Sequence, residues 1–575
     1  MNREQGRAEL QKALRKSTGL FTSTFIFSFF VNALMLTGPL FMLQVYDRVL
    51  GSRSVETLLA LSLLVTFLYL MMGLLDYARG RILARAGARF QSLLDQRVFS
   101  AVLRQAGLAS GELGPNTGLR DLEAVQRLLS SPALLAVFDV PWTPVFLLAI
   151  FLFHPWLGYL AVGGGGVLIF MTFLNQWTTK RIVSEANMAT SQADLFADSI
   201  RNEAELVQSL GMRAAVYRRW LSLRQKSLAR TISSSDRTGS FSSLTKTMRL
   251  FLQSAMLGLG AYLVLQGQMT AGAMIAGSIL LGRALSPVEQ AIGQWPLVQR
   301  AGFGWKRLDK LLKTAPFEPV RTPLPEPRAI MEAQQLTVVP PGEKQASLRM
   351  MSFRIGPGMA MGVIGQSGAG KSTLARAITG VWPVAGGKIR LDGAATDQYE
   401  PDVLGRHIGY LPQRVTLFEG TITENIARMS TEPDPELVVK AAQKAGAHEM
   451  ILRMPQGYDT HVTPHGGRLS GGQMQRIGLA RAMYGDPVFL VLDEPNSNLD
   501  AVGSEALNKA IRQTKAEGKS VIIMAHRPAA IAECDLLLVI EDGTRKAFGP
   551  RDEVLKSQVQ NHAQINKAAG SGRQK

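Results

Sequence analysis

Long apolar runs in the first half of the chain limit its folds more than any other feature. They cover Leu20–Val45, Thr57–Leu75, Pro132–Phe153, Trp156–Asn175, Leu250–Leu265 and Ala271–Leu285. A helix needs roughly 20 apolar residues to cross a bilayer, and inside hydrocarbon the backbone must satisfy its own polar groups. The pattern predicts an α-helical membrane bundle of about six spans within residues 19–310. Beyond about residue 310 soluble α/β patterning takes over, so the 575 residues form at least two domains.

Charge decides how the spans are threaded. Lys+Arg 63 against Asp+Glu 45 gives a formal charge of +18. The basic residues cluster between the apolar runs, which points to membrane topology and not to a nucleic-acid partner. Residues 1–18, 76–127, 180–249 and the second half are rich in Lys and Arg. The turns at 154–155 and 266–270 have none, and the polar hinge at 46–53 has only Arg48 and Arg53. Both termini are therefore expected in the cytoplasm. Residues 1–18 read as a basic tail or an interfacial helix. The run that follows is too long for a signal-peptide core. The segments 76–127 and 180–249 have apolar residues at helical spacing, and predict helical arms reaching beyond the membrane.

Within the spans, Asp139 with Pro141 and Pro144 rules out a uniform lipid-facing helix, so that charge should face protein or a watery cavity. Gly163–Gly166 should permit close helix approach. A Pro-rich connector covers 311–329, a second domain 330–557, and 558–575 reads as a disordered tail. Cys534 is the only cysteine, so no disulfide forms within the chain, and it reads as a buried thiol at a strand end.

The second domain is organised by Gly365-Gln366-Ser367-Gly368-Ala369-Gly370-Lys371-Ser372-Thr373, which fits the phosphate-loop pattern. An apolar strand precedes it and a helical stretch follows. The glycines let backbone N–H groups turn toward phosphate oxygens, and the helix N-terminus adds its positive end. Lys371 can then reach the β- and γ-phosphates and Ser372 can take a Mg²⁺ position. Pro487–Glu494 reads as a strand ending in two carboxylates. Asp493 is suited to hold Mg²⁺, and Glu494 to orient or deprotonate the attacking water. Leu469-Ser470-Gly471-Gly472-Gln473 opens another helix with a second phosphate-suited N-terminus.

With these three segments, residues of about 330–557 resemble an ATP-binding cassette domain. The resemblance implies ATP and Mg²⁺ as ligands, and an ATPase in which residues 469–473 complete the site of the opposite subunit of a homodimer. It also implies roles for Gln413, sensing Mg²⁺ and γ-phosphate, for Asp500 in the loop passing between subunits, and for His526, contacting γ-phosphate. His407, His448, His461 and His465 match no motif and read as surface residues. Two departures stand out. Val338-Val339-Pro340-Pro341 occupies the region where the family places an adenine-stacking aromatic, leaving apolar contact from Val or Pro. Thr463–Arg468 lacks the acidic residue common just before the 469–473 motif.

The membrane half sharpens the resemblance. Leu36–Met42, Gln44–Leu50 and Asp139-Val140-Pro141-Trp142-Thr143-Pro144 are similar to the inner-membrane permease/ATPase of type I protein secretion systems, especially the group exporting metalloproteases and lipases. That implies a multi-pass protein of the bacterial inner membrane with a periplasmic adaptor, an outer-membrane channel, and a secreted substrate carrying an uncleaved C-terminal signal. Since the first run starts at Leu20, the peptidase-like domain of some relatives is not expected. An exporter of lipids, peptides or drugs on the same architecture, and a regulatory or channel-like ABC protein, remain the alternatives.

Overall fold

The apolar runs fold as helices, several of them far longer than a bilayer requires. The computed structural model describes residues 5–108, 117–315, 317, 321–463, 469–525 and 531–557. The chain divides into two compact units, with the boundary after Phe317.

In the first unit, five helices among the described residues are long and apolar enough to cross a membrane, and Ala271–Pro287 is a shorter apolar helix. The arms are not separate elements. Val55–Leu108 is one helix of 54 residues, about 80 Å at the usual rise. Pro155–Asn202 and Arg213–Leu265 likewise carry their spans on without a break, and a short helix and a left-handed Gly211 join them.

The expected hinge at 46–53 is instead helical. Thr37–Gln44 runs into a π-helical turn, Val45–Val49, and then Leu50–Ser52, before Arg53 reverses the chain at φ 51. The reason lies in Asp47, whose carboxylate accepts from Thr270 Oγ1 at 2.7 Å and from Gly272 N at 3.0 Å. Those bonds use a polar residue to pin two helix ends together, where the sequence suggested a loop.

Of the two surroundings open to a charge at Asp139, protein or a watery cavity, the structure shows protein. It ends the helix Pro132–Asp139, and a 3-10 turn carrying Pro141 leads into Thr143–Phe153. Its Oδ1 accepts from Asn32 Nδ2 and Arg79 Nη1, each at 2.7 Å. Of the four glycines, Gly164 makes the close approach: a Cβ there would sit 2.4 Å from Leu252 Cδ2. The core around it includes Phe146, Ile150, Leu157, Leu252, Met256 and Leu280.

The N-terminal stretch is a helix, Gln5–Arg15, packed on protein. Leu10 and Ala13 are buried with Phe90, Leu94, Leu308 and Leu312, and Glu9 pairs with Arg97 at 3.0 Å. The helix Trp295–Thr314 closes the unit. Of the Pro-rich connector only part lies within the described residues, and the tail at 558–575 lies outside them.

The second unit is built on strands β1 (Met331–Val338), β2 (Leu348–Ile355), β3 (Ala360–Gly365), β4 (Gly386–Leu391), β5 (Ala394–Ala395) and β6 (Ile408–Leu411), followed by β7 (Gly420–Thr421), β8 (His461–Val462), β9 (Phe489–Asp493), β10 (Ser520–Ala525), β11 (Leu536–Glu541) and β12 (Thr544–Pro550). The central sheet has the order β12-β11-β3-β10-β9-β6, and only β12 runs antiparallel to its neighbour. Every residue of β9 and β10 is buried, which explains why both are apolar except for Asp493 and Ser520 at their ends. A smaller antiparallel sheet, β2-β1-β4-β5, accompanies it. Cys534 is buried just before β11, and burial pushes its thiol up to about 12.

Candidate nucleotide-hydrolysis site

Parallel register brings the carboxyl ends of three strands together. Ala525 pairs with Ile364, and Met524 with Asp493. The phosphate loop leaves β3, Glu494 follows β9, and the chain leaves β10 toward His526. His526 itself lies outside the described residues, as does His465. Crevices at this end of a parallel sheet are where open α/β folds bind ligands.

The loop is shaped by its glycines. Gly368 and Gly370 take φ 81 and 104, and Gly370 caps the helix Lys371–Ile378. A Cβ at Gly370 would fall 2.7 Å from Leu348 Cδ2 and 3.0 Å from Ser347 O, so only glycine fits. Gln366, Ser367 and Gly368 are exposed, whereas Ala369, Lys371 and Thr373 are buried. Lys371 Nζ donates to the carbonyls of Gly365 at 2.8 Å and Gln366 at 2.9 Å. Burial lowers its pKa, opposed by the charges of Glu494 and Asp493.

Asp493 is 2 % exposed and its Oδ1 has no hydrogen-bond partner among the described residues. Burial raises its pKa, against a hydrogen bond from Ser372 and the nearby Arg376 and Lys371. A buried carboxylate oxygen left bare beside a hydroxyl and a phosphate loop is the donor set a hard cation takes, so the residues fit Mg²⁺. Glu494 is half-buried, in the left-handed region at φ 50, and its Oε2 accepts from Gln413 Nε2 at 3.0 Å. The structure thus gathers Lys371, Ser372, Gln413, Asp493 and Glu494 at one place.

Residues 469–473 form their own unit. Ser470 caps the helix Gly471–Met483, accepting from Gln473 N at 3.3 Å while Gln473 Oε1 accepts from Ser470 N at 2.9 Å. Leu469 packs against the core beneath. Gly471 and Gly472 lie against Asn498. Asp500 caps the next helix, Ala501–Ala516, accepting from Gly503 N at 2.7 Å.

The stretch Val338–Ser347, free of aromatics, returns beside the phosphate loop at Ser347. His448 is half-buried and bonded to the Tyr458 hydroxyl at 2.8 Å, not simply a surface residue. Sequence reading passed over Arg376, which stacks 4.6 Å over the Trp382 ring and is hydrogen-bonded to Tyr410. Burial pushes that Tyr410 phenol up to about 12. It also passed over Gln475, buried at 1 % exposure on the helix that Ser470 caps. No motif marks either residue.

Known proteins agree with this architecture. Residues 348–497 match the ABC transporter family model and residues 21–286 that of the ABC transporter transmembrane region. The chain is 42% identical to the type I secretion system ATP-binding protein PrsD of Rhizobium meliloti, over 95% of its own length and 94% of the relative's. It is 28% identical to the cyclolysin secretion/processing ATP-binding protein CyaB of Bordetella pertussis, and 29% to the leukotoxin translocation ATP-binding protein LktB of Mannheimia haemolytica. The match covers 94% and 95% of this chain and 77% of each relative. A bacterial Atm1-family ABC exporter with ATP bound shares the fold, with a TM-score of 0.79 at 21% identity, covering 95% of this chain and 96% of that one. With its multi-pass membrane unit and its ATPase unit on one polypeptide, the chain belongs to the ABC transporter family, among the ATP-binding proteins of type I secretion systems.

Proposed function

We propose that two copies of this chain form the ATP-driven inner-membrane exporter of a type I protein secretion system. The cargo is a protein with an uncleaved C-terminal signal, and a periplasmic adaptor and an outer-membrane channel complete the path. The reading rests above all on the buried, bare Asp493 Oδ1 beside Ser372 and Glu494, in a chain that also carries bilayer-length helices.

In this mechanism backbone N–H groups of residues 365–373 cradle the phosphates of ATP, and Lys371 turns from its two carbonyls to the β- and γ-phosphate oxygens. Mg²⁺ held by Ser372 and Asp493, with Gln413 nearby, would neutralise phosphate charge. Glu494 orients the attacking water and takes its proton, while His526 contacts the γ-phosphate. Apolar contact from the Val339-Pro340-Pro341 stretch takes the place of ring stacking on adenine. Leu469–Gln473 of each copy closes over the nucleotide of the other, and Asp500 lies in the loop between them.

ATP binds the closed pair better than the open one, and that difference in affinity drives closure. The helices continuing beyond the spans carry the motion to about six spans per copy, both termini being cytoplasmic. Glu494→Gln protein in proteoliposomes should bind ATP and dimerise yet hydrolyse very slowly; turnover near wild type would refute the role of Glu494. Deleting the gene should remove a protein from the medium. Intact secretion with altered lipid or drug sensitivity would overturn the cargo assignment.

A further inference from the structure

Among the described residues the Gln475 side chain makes a single hydrogen bond, one that no packing requirement explains. Its Nε2 donates to the carbonyl of Pro495 at 3.2 Å, and its Oε1 is buried without a partner among the described residues. A buried amide with a bare acceptor is unfavourable, and an apolar side chain of the same size would fill the space without that penalty. What the amide adds is the bond to Pro495, whose carbonyl belongs to the residue directly after Glu494.

Glu494 needs such support. A residue with a β-carbon in the left-handed region persists only where its surroundings over-determine it. Glu494 N donates to Met524 O at 3.0 Å, and Glu494 O accepts from Ser497 N at 3.2 Å. Those bonds hold the peptide from β10 and from the turn itself. Gln475 supplies the third, and it comes from the helix that Ser470, Gly471 and Gly472 begin. That helix start is also in contact with the turn after Glu494, since a Cβ on Gly472 would lie 3.0 Å from Asn498 O.

We infer that Gln475 is a positioning residue for Glu494, tying the carboxylate's backbone to the helix whose N-terminus closes on the partner copy's nucleotide. When that N-terminus engages a nucleotide, the Pro495 peptide moves with it, and the Glu494 carboxylate of the same chain turns into line. The inference rests on the proposed role of Glu494.

The test uses the full-length chain in proteoliposomes with Mg-ATP. Gln475→Met keeps the volume and loses the donor. It should lower kcat by about 100-fold, as misplacement of a reacting group does, with KM for ATP and thermal stability unchanged. Gln475→Glu gives a readout that packing would not move. Its neutral carboxyl can donate to Pro495 O and its carboxylate cannot, so activity relative to wild type should rise toward acid pH. Wild-type kcat in Gln475→Met overturns the inference. So does a flat relative pH profile in Gln475→Glu, even if Gln475→Met fails to fold. Glu494→Gln measured alongside separates the two readings: its turnover reports on Glu494 alone.

Discussion

Gln413 and Glu494 meet across 81 residues of sequence, with Gln413 Nε2 donating to Glu494 Oε2 at 3.0 Å. The contact follows from register. β6 pairs in parallel with β9, Leu411 opposite Leu492, and each of the two polar residues lies two positions past its paired leucine. A strand order set by aliphatic burial therefore delivers an amide to a carboxylate.

Gln413→Leu should keep the sheet and lose that bond. Glu494 would then no longer be steadied, and turnover should fall by about 10- to 100-fold, less than the roughly 100- to 1,000-fold for a donor aimed at the reacting atoms, because Gln413 bonds Glu494. A Mg²⁺ titration of ATPase activity checks this. Unchanged turnover and unchanged Mg²⁺ dependence would show the bond to be incidental.

Asp493→Asn probes the bare Oδ1. The amide keeps the shape but gives up the charge that draws a hard cation. Binding of a fluorescent ATP analogue should persist in EDTA and lose its Mg²⁺-dependent gain, while hydrolysis falls at least about 100-fold. If Mg²⁺ still tightens binding as in wild type, Asp493 is not the ligand.

Residues at the hydrolytic centre were readable because local pattern and function coincide there. The phosphate loop needs glycines at set places, and the carboxylates must end a buried strand, so both leave a mark in the sequence. Gln475 and Arg376 leave none, because the groups they bond, Pro495 and Tyr410, come close only through folding. Asp47 misled for the same reason: a polar residue between apolar runs suggests a loop, and only its partners Thr270 and Gly272, more than 200 positions away, make it part of a helix end. For Asp139 the expense of burying charge left two options, protein or a watery cavity, and its partners Asn32 and Arg79, which decide for protein, were beyond reach of that argument.

That buried group yields a prediction of its own. Arg79 bonds Asp139, Asp76 and Ser28, joining three helices. Asp139→Leu leaves Arg79 with only Ser28 and the exposed carboxylate of Asp76, so the loss should approach but not exceed the roughly 3–5 kcal/mol of a broken buried pair. Replacing both, as Asp139→Leu with Arg79→Met, should restore much of the loss, since the one charge left of the three, Asp76, is exposed. Thermal unfolding in detergent, read as a double-mutant cycle, measures the coupling. Strict additivity would mean that the two side chains do not stabilise one another.

Asp121 should make stability depend on pH. It lies on the helix Thr117–Leu129, is 8 % exposed, and its Oδ2 has no hydrogen-bond partner among the described residues. Burial pushes its carboxyl up to about 6, against the pull of Arg307 at 3.6 Å. The folded chain therefore holds this proton more tightly than the unfolded chain, whose carboxyl titrates near 3.8. The stabilisation from that proton is complete below the unfolded value, declines as pH rises through about 6, and is absent above it. Asp121→Asn keeps a neutral side chain at every pH, so it should match wild type near pH 4 and exceed it at pH 7.5 by on the order of 1–3 kcal/mol. Melting temperatures of both proteins across this range decide the matter: a constant difference would mean that Asp121 does not titrate there, and a gain confined to acid pH would reverse the assignment of its shift.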